Sequence, residues 1–275
     1  MKIVASTGGK GGTGKSTFAI LFSFKLVKEG NRIVLCDLDI ECPNDYLLLN
    51  QELKNPELIY QEFPRLDKEK CKKCGICSNV CKEHAIFWVK QNYPIFIEEL
   101  CSACGACWIA CPSKAITQEK KVVGEIFLNQ VKKDFFLLTG RSKPVISETG
   151  PIVRKVKEKA INFAKEIDAD YLIIDTSPGT HCNVIQALID IDKAYCVTEP
   201  TPLGAYDLRL ILKLTKKLGI NSEIVLNKSN IGNRRLIEEI AREFGVKIVY
   251  EIPYSEEVIR AYCEKDLEKI SRLII

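Results

Sequence analysis

The stretch Ser6–Thr17, STGGKGGTGKST, constrains the fold of this chain more than any other. Gly9, four residues and then Gly14-Lys15-Ser16 give the spacing of a phosphate-binding loop. Glycines are required because backbone N–H groups must turn inward and touch phosphate oxygens, where a Cβ would obstruct them. In such a loop Lys15 reaches the β- and γ-phosphates, and the Ser16 hydroxyl binds Mg2+. The flanks agree with this. KIVAS before the loop reads as a short buried strand, and STFAILFSFKLVKE after it reads as an apolar helix of about four turns that stops at Gly30. The N-terminus of that helix points its dipole and free N–H groups at the phosphates. A Gly-rich surface turn would not require strand, loop and helix in this order.

A chain of 275 residues suffices for a large core in one or two domains, and 46% hydrophobic with 28% charged residues describes a soluble globular protein. A net charge of +4 without a lysine/arginine tract gives no footprint for nucleic acid. No apolar run reaches the roughly 18 residues of a membrane span, and the strand at the N-terminus leaves no room for a signal peptide, so a cytoplasmic location is expected. Thirteen cysteines are the anomaly, eight of them between Cys71 and Cys111. An odd total without export signals points to metal or redox chemistry rather than to a disulfide framework.

With Lys10 ahead of the glycine pair, KGGTGKS resembles the deviant loop of the MinD/ParA family and of the nitrogenase iron protein. The resemblance implies that Lys10 crosses a homodimer interface to the partner's nucleotide. It also implies an ATP site built from Gly9, Lys10, Gly11, Gly12, Thr13, Gly14, Lys15, Ser16 and Thr17. NRIVLCDLD (Asn31–Asp39) is a buried strand with two acids at its C-terminal end, the edge where open α/β sheets collect ligands. Asp37 and Asp39 alternate, so they face opposite sides of the strand or split at its end. By resemblance to the family's D-x-D segment, Asp39 orients the attacking water and Asp37 lies near the metal; two acids capping a strand end is the plainer alternative.

DYLIIDTSPGTHCN (Asp170–Asn183) supplies a second nucleotide signature, resembling the same segment in MinD and the iron–sulfur assembly ATPases. Asp175 ends a central strand and would hold a Mg2+-bound water, completing a Mg2+ set of Ser16, Asp37 and Asp175, and Gly179 brings its N–H to the γ-phosphate. VTEPTP resembles the family's next segment, with Thr198 or Glu199 placed to line the site. In EIVLNKSN (Glu223–Asn230) Asn230 stands where a GTPase carries its guanine-reading aspartate, which favours adenine. By resemblance Asn227 contacts the base and the loop at Pro253 closes over it.

The cysteines form an internal repeat offset by 30 residues: EKCKKCGICSNVCKEHAI matches ELCSACGACWIACPSKAI. C-x2-C-x2-C-x3-C written twice resembles the bacterial ferredoxin with two [4Fe-4S] clusters, whose soft thiolates suit iron–sulfur. In that family the fourth cysteine of each run ligates the other cluster. This implies Cys71, Cys74, Cys77 and Cys111 on one cluster, and Cys81, Cys101, Cys104 and Cys107 on the second. Pro112 follows the family pattern and Lys82 departs from it. A paired zinc ribbon, the competing metal reading, would leave four cysteines unexplained.

These readings combine into a doubly wound, mostly parallel α/β sheet of the P-loop NTPase type, with an inserted 2[4Fe-4S] ferredoxin-like module. The expected segments are 1–62 and 118–275 for the ATPase domain and 63–117 for the insert. The resemblance implies a nucleotide-dependent homodimer that couples Mg2+-dependent ATP hydrolysis, with Lys10, Lys15 and Asp39 catalytic, to electron transfer toward a redox partner protein. A cluster assembly or carrier ATPase and a redox-sensing positioning switch are the alternatives. Cys182 lies seven residues after Asp175, an offset near that of a cluster ligand in the nitrogenase iron protein; a buried or reactive thiol is the other reading. At the C-terminus Ile259, Tyr262, Ile270, Leu273 and Ile274 make an apolar stripe expected to pack on the sheet rather than on a membrane.

Overall fold

Runs such as Ile33–Leu38 and Tyr171–Thr176 are apolar on both faces, which is what a parallel strand covered by helices on both sides requires. In the computed structural model, which describes residues 1–144, 146, 148–269 and 271, both runs are buried central strands. The chain divides into two units, Met1–Pro56 with Ile126–Arg141 and Val153–Ile275, and Glu57–Glu125 with Ser142–Ile152.

The first unit contains β1 (Lys2–Thr7), α1 (Lys15–Lys28), β2 (Ile33–Leu38) and the single turn α2 (Asp45–Leu48). The chain enters the second unit along β3 (Glu57–Leu66). There it forms α3 (Ile76–Val80), β4 (Ile86–Phe87), β5 (Ile95–Phe96) and α4 (Ala106–Ile109), and leaves through β6 (Ile116–Lys132). Then follow β7 (Phe135–Ser142), α5 (Gly150–Glu166), β8 (Tyr171–Thr176), α6 (Cys182–Leu188), β9 (Lys193–Thr198), α7 (Pro202–Lys217), β10 (Asn221–Asn227), α8 (Arg234–Phe244), β11 (Ile248–Ile252) and α9 (Glu256–Cys263).

Strands of the first unit neighbour one another in the order β11-β10-β9-β1-β8-β2-β7. Every pairing from β11 to β7 is parallel. Sequence order reverses around β1, so the crevice at the C-terminal ends of β1, β8 and β2 is a topological switch point. Register decides what meets there: Asp37 of β2 lies opposite Asp175 of β8, and Ser6 of β1 lies opposite the same Asp175. α1 is buried from Phe18 to Phe24, and Phe18 and Phe22 pack against Tyr195 and Tyr250. Each such fully buried side chain contributes roughly 1.5–3 kcal/mol.

In the second unit, β3 and the first part of β6 run side by side, tied by the Thr117 hydroxyl donating to the Arg65 carbonyl. ELIYQEFPRL carries little regular alternation, which hides this strand from a reading of the sequence. The cysteine repeat folds into two equivalent halves. Gly75 (φ 75°) precedes α3 and Gly105 (φ 85°) precedes α4, a left-handed turn that suits glycine. β4 and β5 pair antiparallel, with Phe87 opposite Ile95.

The C-terminal stripe does not pack as its spacing suggests. α9 ends at Cys263, Ile259 and Tyr262 are exposed, and Ala261 is the residue it buries. A helix of eight residues is too short to carry the pattern onward. Ile270, Leu273 and Ile274 lie outside the described residues. No helix among the described residues is long and apolar enough to cross a membrane.

Candidate functional site

The phosphate-binding loop joins β1 to α1 through two left-handed glycines, Gly12 (φ 81°) and Gly14 (φ 95°). A Cβ on Gly14 would stand 2.3 Å from Asn227 Nδ2, so glycine is demanded both by conformation and by space. The loop is held from both ends. The Ser6 hydroxyl donates to the Lys15 carbonyl at 2.8 Å, and Asn227 Nδ2 donates to the Thr13 carbonyl at 2.9 Å. Lys15 Nζ donates to the Lys10 carbonyl at 3.1 Å. Burial pulls the Lys15 ammonium below its usual range, and the carboxylates of Asp175 and Asp39 work against that. Gly11, Gly12, Gly14, Lys15, Ser16, Thr17 and Asp39 line an open cleft of about 270 Å3, with Asn44, Pro178, Asn227 and Tyr262.

Beside the loop are three buried carboxylates. Asp37, Asp45 and Asp175 each bring one oxygen to within 4.8 Å of the others. Asp37 organises the chain after β2, accepting from the backbone N–H of Asp39 at 3.0 Å, Asn44 at 3.0 Å and Asp45 at 3.2 Å. Ser16 Oγ donates to Asp175 Oδ2 at 2.6 Å, while Asp175 Oδ1 and both oxygens of Asp45 are buried without a hydrogen-bond partner. Burial, then the opposing Ser16 bond and the Lys15 charge, leave the Asp175 carboxyl pushed up to about 7. Burial and mutual repulsion hold Asp37 and Asp45 well above the ordinary carboxylate range. Orphaned hard oxygens next to a hydroxyl fit a divalent cation such as Mg2+. Asp39, by contrast, sits past the end of β2 and faces the cleft, its carboxyl raised by burial and lowered by Lys15.

The other nucleotide candidates occupy distinct places. Lys10 Nζ lies 3.7 Å from Glu199 Oε1, and Lys228 Nζ lies 2.8 Å from Glu199 Oε2. The Thr198 hydroxyl faces inward, donating to the Gly204 carbonyl at 2.9 Å. Gly9 packs against Asp207, and Gly179 (φ 99°) donates its N–H to the Gly8 carbonyl at 3.2 Å. Pro253 follows β11 in a loop stapled by Asn230, which accepts from the Tyr254 N–H at 2.7 Å and donates to the Tyr254 carbonyl at 2.9 Å. Pro253 is not among the residues lining the cleft, and Tyr262 is. Two members of this site, Asp45 and Tyr262, escape a reading by motif. Asp45 is an acid inside NDYLL, where only its complete burial reveals it, and Tyr262 reads as one more apolar position of a C-terminal helix.

In the second unit the cysteines of the two runs interleave. Cys71, Cys74, Cys77 and Cys111 line one small pocket, walled by Leu66, Pro94 and Ile116. Burial pushes the Cys101 thiol up, with the nearby Cys81 and Cys104 adding to it, and Cys101 and Cys104 in turn neighbour Cys107. The halves repeat in hydrogen bonding. Cys71 accepts from the Lys73 N–H and Cys101 from the Ala103 N–H, both at 3.4 Å; Cys81 accepts from Ala85 and Cys111 from Ala115, both at 3.3 Å. Backbone donors aimed at sulfur stabilise thiolate, the ligand form. Burial pushes the Cys107 thiol up to about 11. Burial acts likewise on Cys111, but donors from Ala115, Ser113 and Ile116 outweigh it and hold that thiol below its ordinary value. Cys182 is exposed at the start of α6.

A family model described as the CobQ/CobB/MinD/ParA nucleotide binding domain matches residues 4–268. Among curated relatives, two proteins of Methanocaldococcus jannaschii, described as uncharacterized, are 37% and 33% identical over 265 residues, covering 96% of this chain and 90% and 88% of theirs. A Drosophila erecta protein described as a cytosolic Fe-S cluster assembly factor, Nubp2 homolog, is 28% identical over 80% of this chain and 65% of its own length. Among solved structures, the septum site-determining protein MinD of Pyrococcus horikoshii with Mg-ADP aligns at TM-score 0.60 and 18% identity, covering 98% of this chain and 88% of that one. The cell division ATPase MinD of Pyrococcus furiosus aligns at TM-score 0.58 and 17% identity, covering 97% and 89%.

Proposed function

The chain belongs to the CobQ/CobB/MinD/ParA nucleotide-binding family, and from that premise we propose that it is a Mg2+-dependent ATPase whose nucleotide cycle governs electron transfer through two [4Fe-4S] clusters. The observation that carries the redox half is the exchange of cysteines between the two runs: Cys111 shares a cavity with Cys71, Cys74 and Cys77, and Cys81 neighbours Cys101. Each set then offers four soft thiolates with backbone donors on their sulfurs. In this reading Cys71, Cys74, Cys77 and Cys111 hold one cluster, and Cys81, Cys101, Cys104 and Cys107 the other, within a ferredoxin-like module around residues 63–117.

On the nucleotide side, Gly9 to Thr17 cradle the phosphates, with Lys15 on the β- and γ-phosphoryl oxygens and Asn227 and Pro253 toward the adenine. Ser16, Asp37 and Asp175 would hold Mg2+. When bound, Mg2+ neutralises phosphate charge and the clusters carry single electrons. Asp39, in the cleft and close enough to Lys15 to feel its charge, orients the water that attacks the γ-phosphorus as the bond to the bridging oxygen breaks. Lys10 leaves Glu199 and reaches the nucleotide of a second copy, so that hydrolysis is tied to a homodimer. Gly179, whose N–H donates to the Gly8 carbonyl, takes the γ-phosphate instead and transmits its presence to α6. An unidentified redox partner protein supplies or accepts the electrons.

The relatives described as Fe-S cluster assembly factors favour a second reading, an ATPase that builds or carries clusters. Iron and sulfide counting on anaerobically purified protein, with EPR of the reduced form titrated with ATP, separates these. Two stable interacting clusters whose spectrum responds to ATP support electron transfer. A cluster lost to an apo-acceptor on ATP addition supports assembly, and colourless protein holding zinc removes both.

A further inference from the structure

Three carboxylates of the first unit converge, and the Lys15 charge bears on Asp175. Asp45 is 0% exposed and Asp37 and Asp175 are 1% exposed. Asp37 is satisfied by three backbone N–H groups, but both oxygens of Asp45 and Oδ1 of Asp175 have no partner. The charges that bear most on Asp45 are all carboxylates, those of Asp37, Asp175 and Asp39. Buried carboxyl oxygens without donors are compensated by a cation that replaces their protons. Their donor atoms lie within 4.8 Å of one another, and an all-oxygen set selects a hard divalent ion. The site adjoins the nucleotide cleft through Ser16, which donates to Asp175 at 2.6 Å. Ser16 and Asp39 line that cleft, whereas Asp37, Asp45 and Asp175 do not.

We propose that Asp45, with Asp37 and Asp175, forms a cation site behind the phosphate-binding loop that takes up Mg2+ or Mn2+ before nucleotide arrives. Asp45 is the residue that makes this possible, since Asp37 is committed to backbone donors and Asp175 shares an oxygen with Ser16. The ion would then already be beside Ser16 when ATP enters. That later role rests on the ATPase reading; binding of the ion does not.

The test uses holoprotein with oxidised clusters, stripped of nucleotide and divalent ions, and titrated with MnCl2 while free Mn2+ is followed by its EPR signal. Wild type is expected to bind one Mn2+ per chain, displaced by Mg2+ and not by Na+. Asp45→Asn should weaken this by roughly tenfold or more. In thermal melts Mn2+ should raise the Tm of wild type and leave that of Asp45→Asn unmoved. Wild type that binds no Mn2+ without nucleotide, or Asp45→Asn that binds it as tightly as wild type, overturns the proposal. ATP affinity of the wild type in excess Mg2+ keeps the readings distinct: its absence alongside intact Mn2+ binding removes the ATPase and leaves the cation site.

Discussion

The two units bury their interiors with different materials. The first rests on Phe18, Ile20, Leu21, Phe22, Leu35, Phe135, Leu137 and Ile173, packed in and around parallel strands. Around the repeat, the second rests on Cys77, Ile86, Cys107 and Ile116, with Cys81, Cys111, Leu66, Phe96 and Trp108 leaning on them. An aliphatic core is stable by exclusion of water alone. A small core in which cysteine replaces leucine gains less from burial, and in the proposed reading the clusters complete it. On the proposed reading, one unit folds without its ligand, while the other depends on its clusters to fold.

The sharpest way to break this contrast is to remove iron. Chelation under reducing conditions, or Cys77→Ser with Cys107→Ser, should leave residues 67–117 open to protease while the first unit keeps its ATP binding; equal protection in both states would contradict it. Next in size, Lys15→Ala should lower ATPase kcat roughly 10²–10³-fold with iron and sulfide content unchanged, since it removes one preorganised donor from the phosphates. Gly14→Ala should cost about 1–3 kcal/mol in denaturant unfolding of the first unit, because its φ of 95° and the 2.3 Å approach to Asn227 are both lost to a side chain. The smallest effect belongs to Glu199→Gln. It removes ion pairs with the half-exposed Lys10 and Lys228, each contributing about 0–1 kcal/mol, so stability should move little. Freed Lys10 should nonetheless let ATPase activity appear at lower protein concentration, a shift that an unchanged concentration dependence would refute.

Much of the first unit is legible from sequence because its ligands sit at strand ends. Once Ile33–Leu38 and Tyr171–Thr176 read as parallel strands, Asp37 and Asp175 arrive at the same edge, and the register sets them side by side. The repeat is equally open to reading, since Gly75 and Gly105 and eight cysteines recur at one spacing. What escapes is set by packing rather than pattern. Asp45 enters the carboxylate group through the bend that three N–H groups make around Asp37 and its neighbours. Tyr262 reaches the cleft from the last turn of α9. β3 is hidden because ELIYQEFPRL has no period and carries a proline.

The central claim is that the nucleotide and the cysteine repeat act on one another. Stopped-flow oxidation of the dithionite-reduced holoprotein, with and without Mg2+-ATP, tests it most directly, with Lys15→Ala as the nucleotide-blind control. The account predicts that ATP changes the oxidation rate in wild type and not in the variant, and that ATPase activity differs between reduced and oxidised protein. Identical traces with and without ATP, together with an ATPase rate indifferent to redox state, would contradict it.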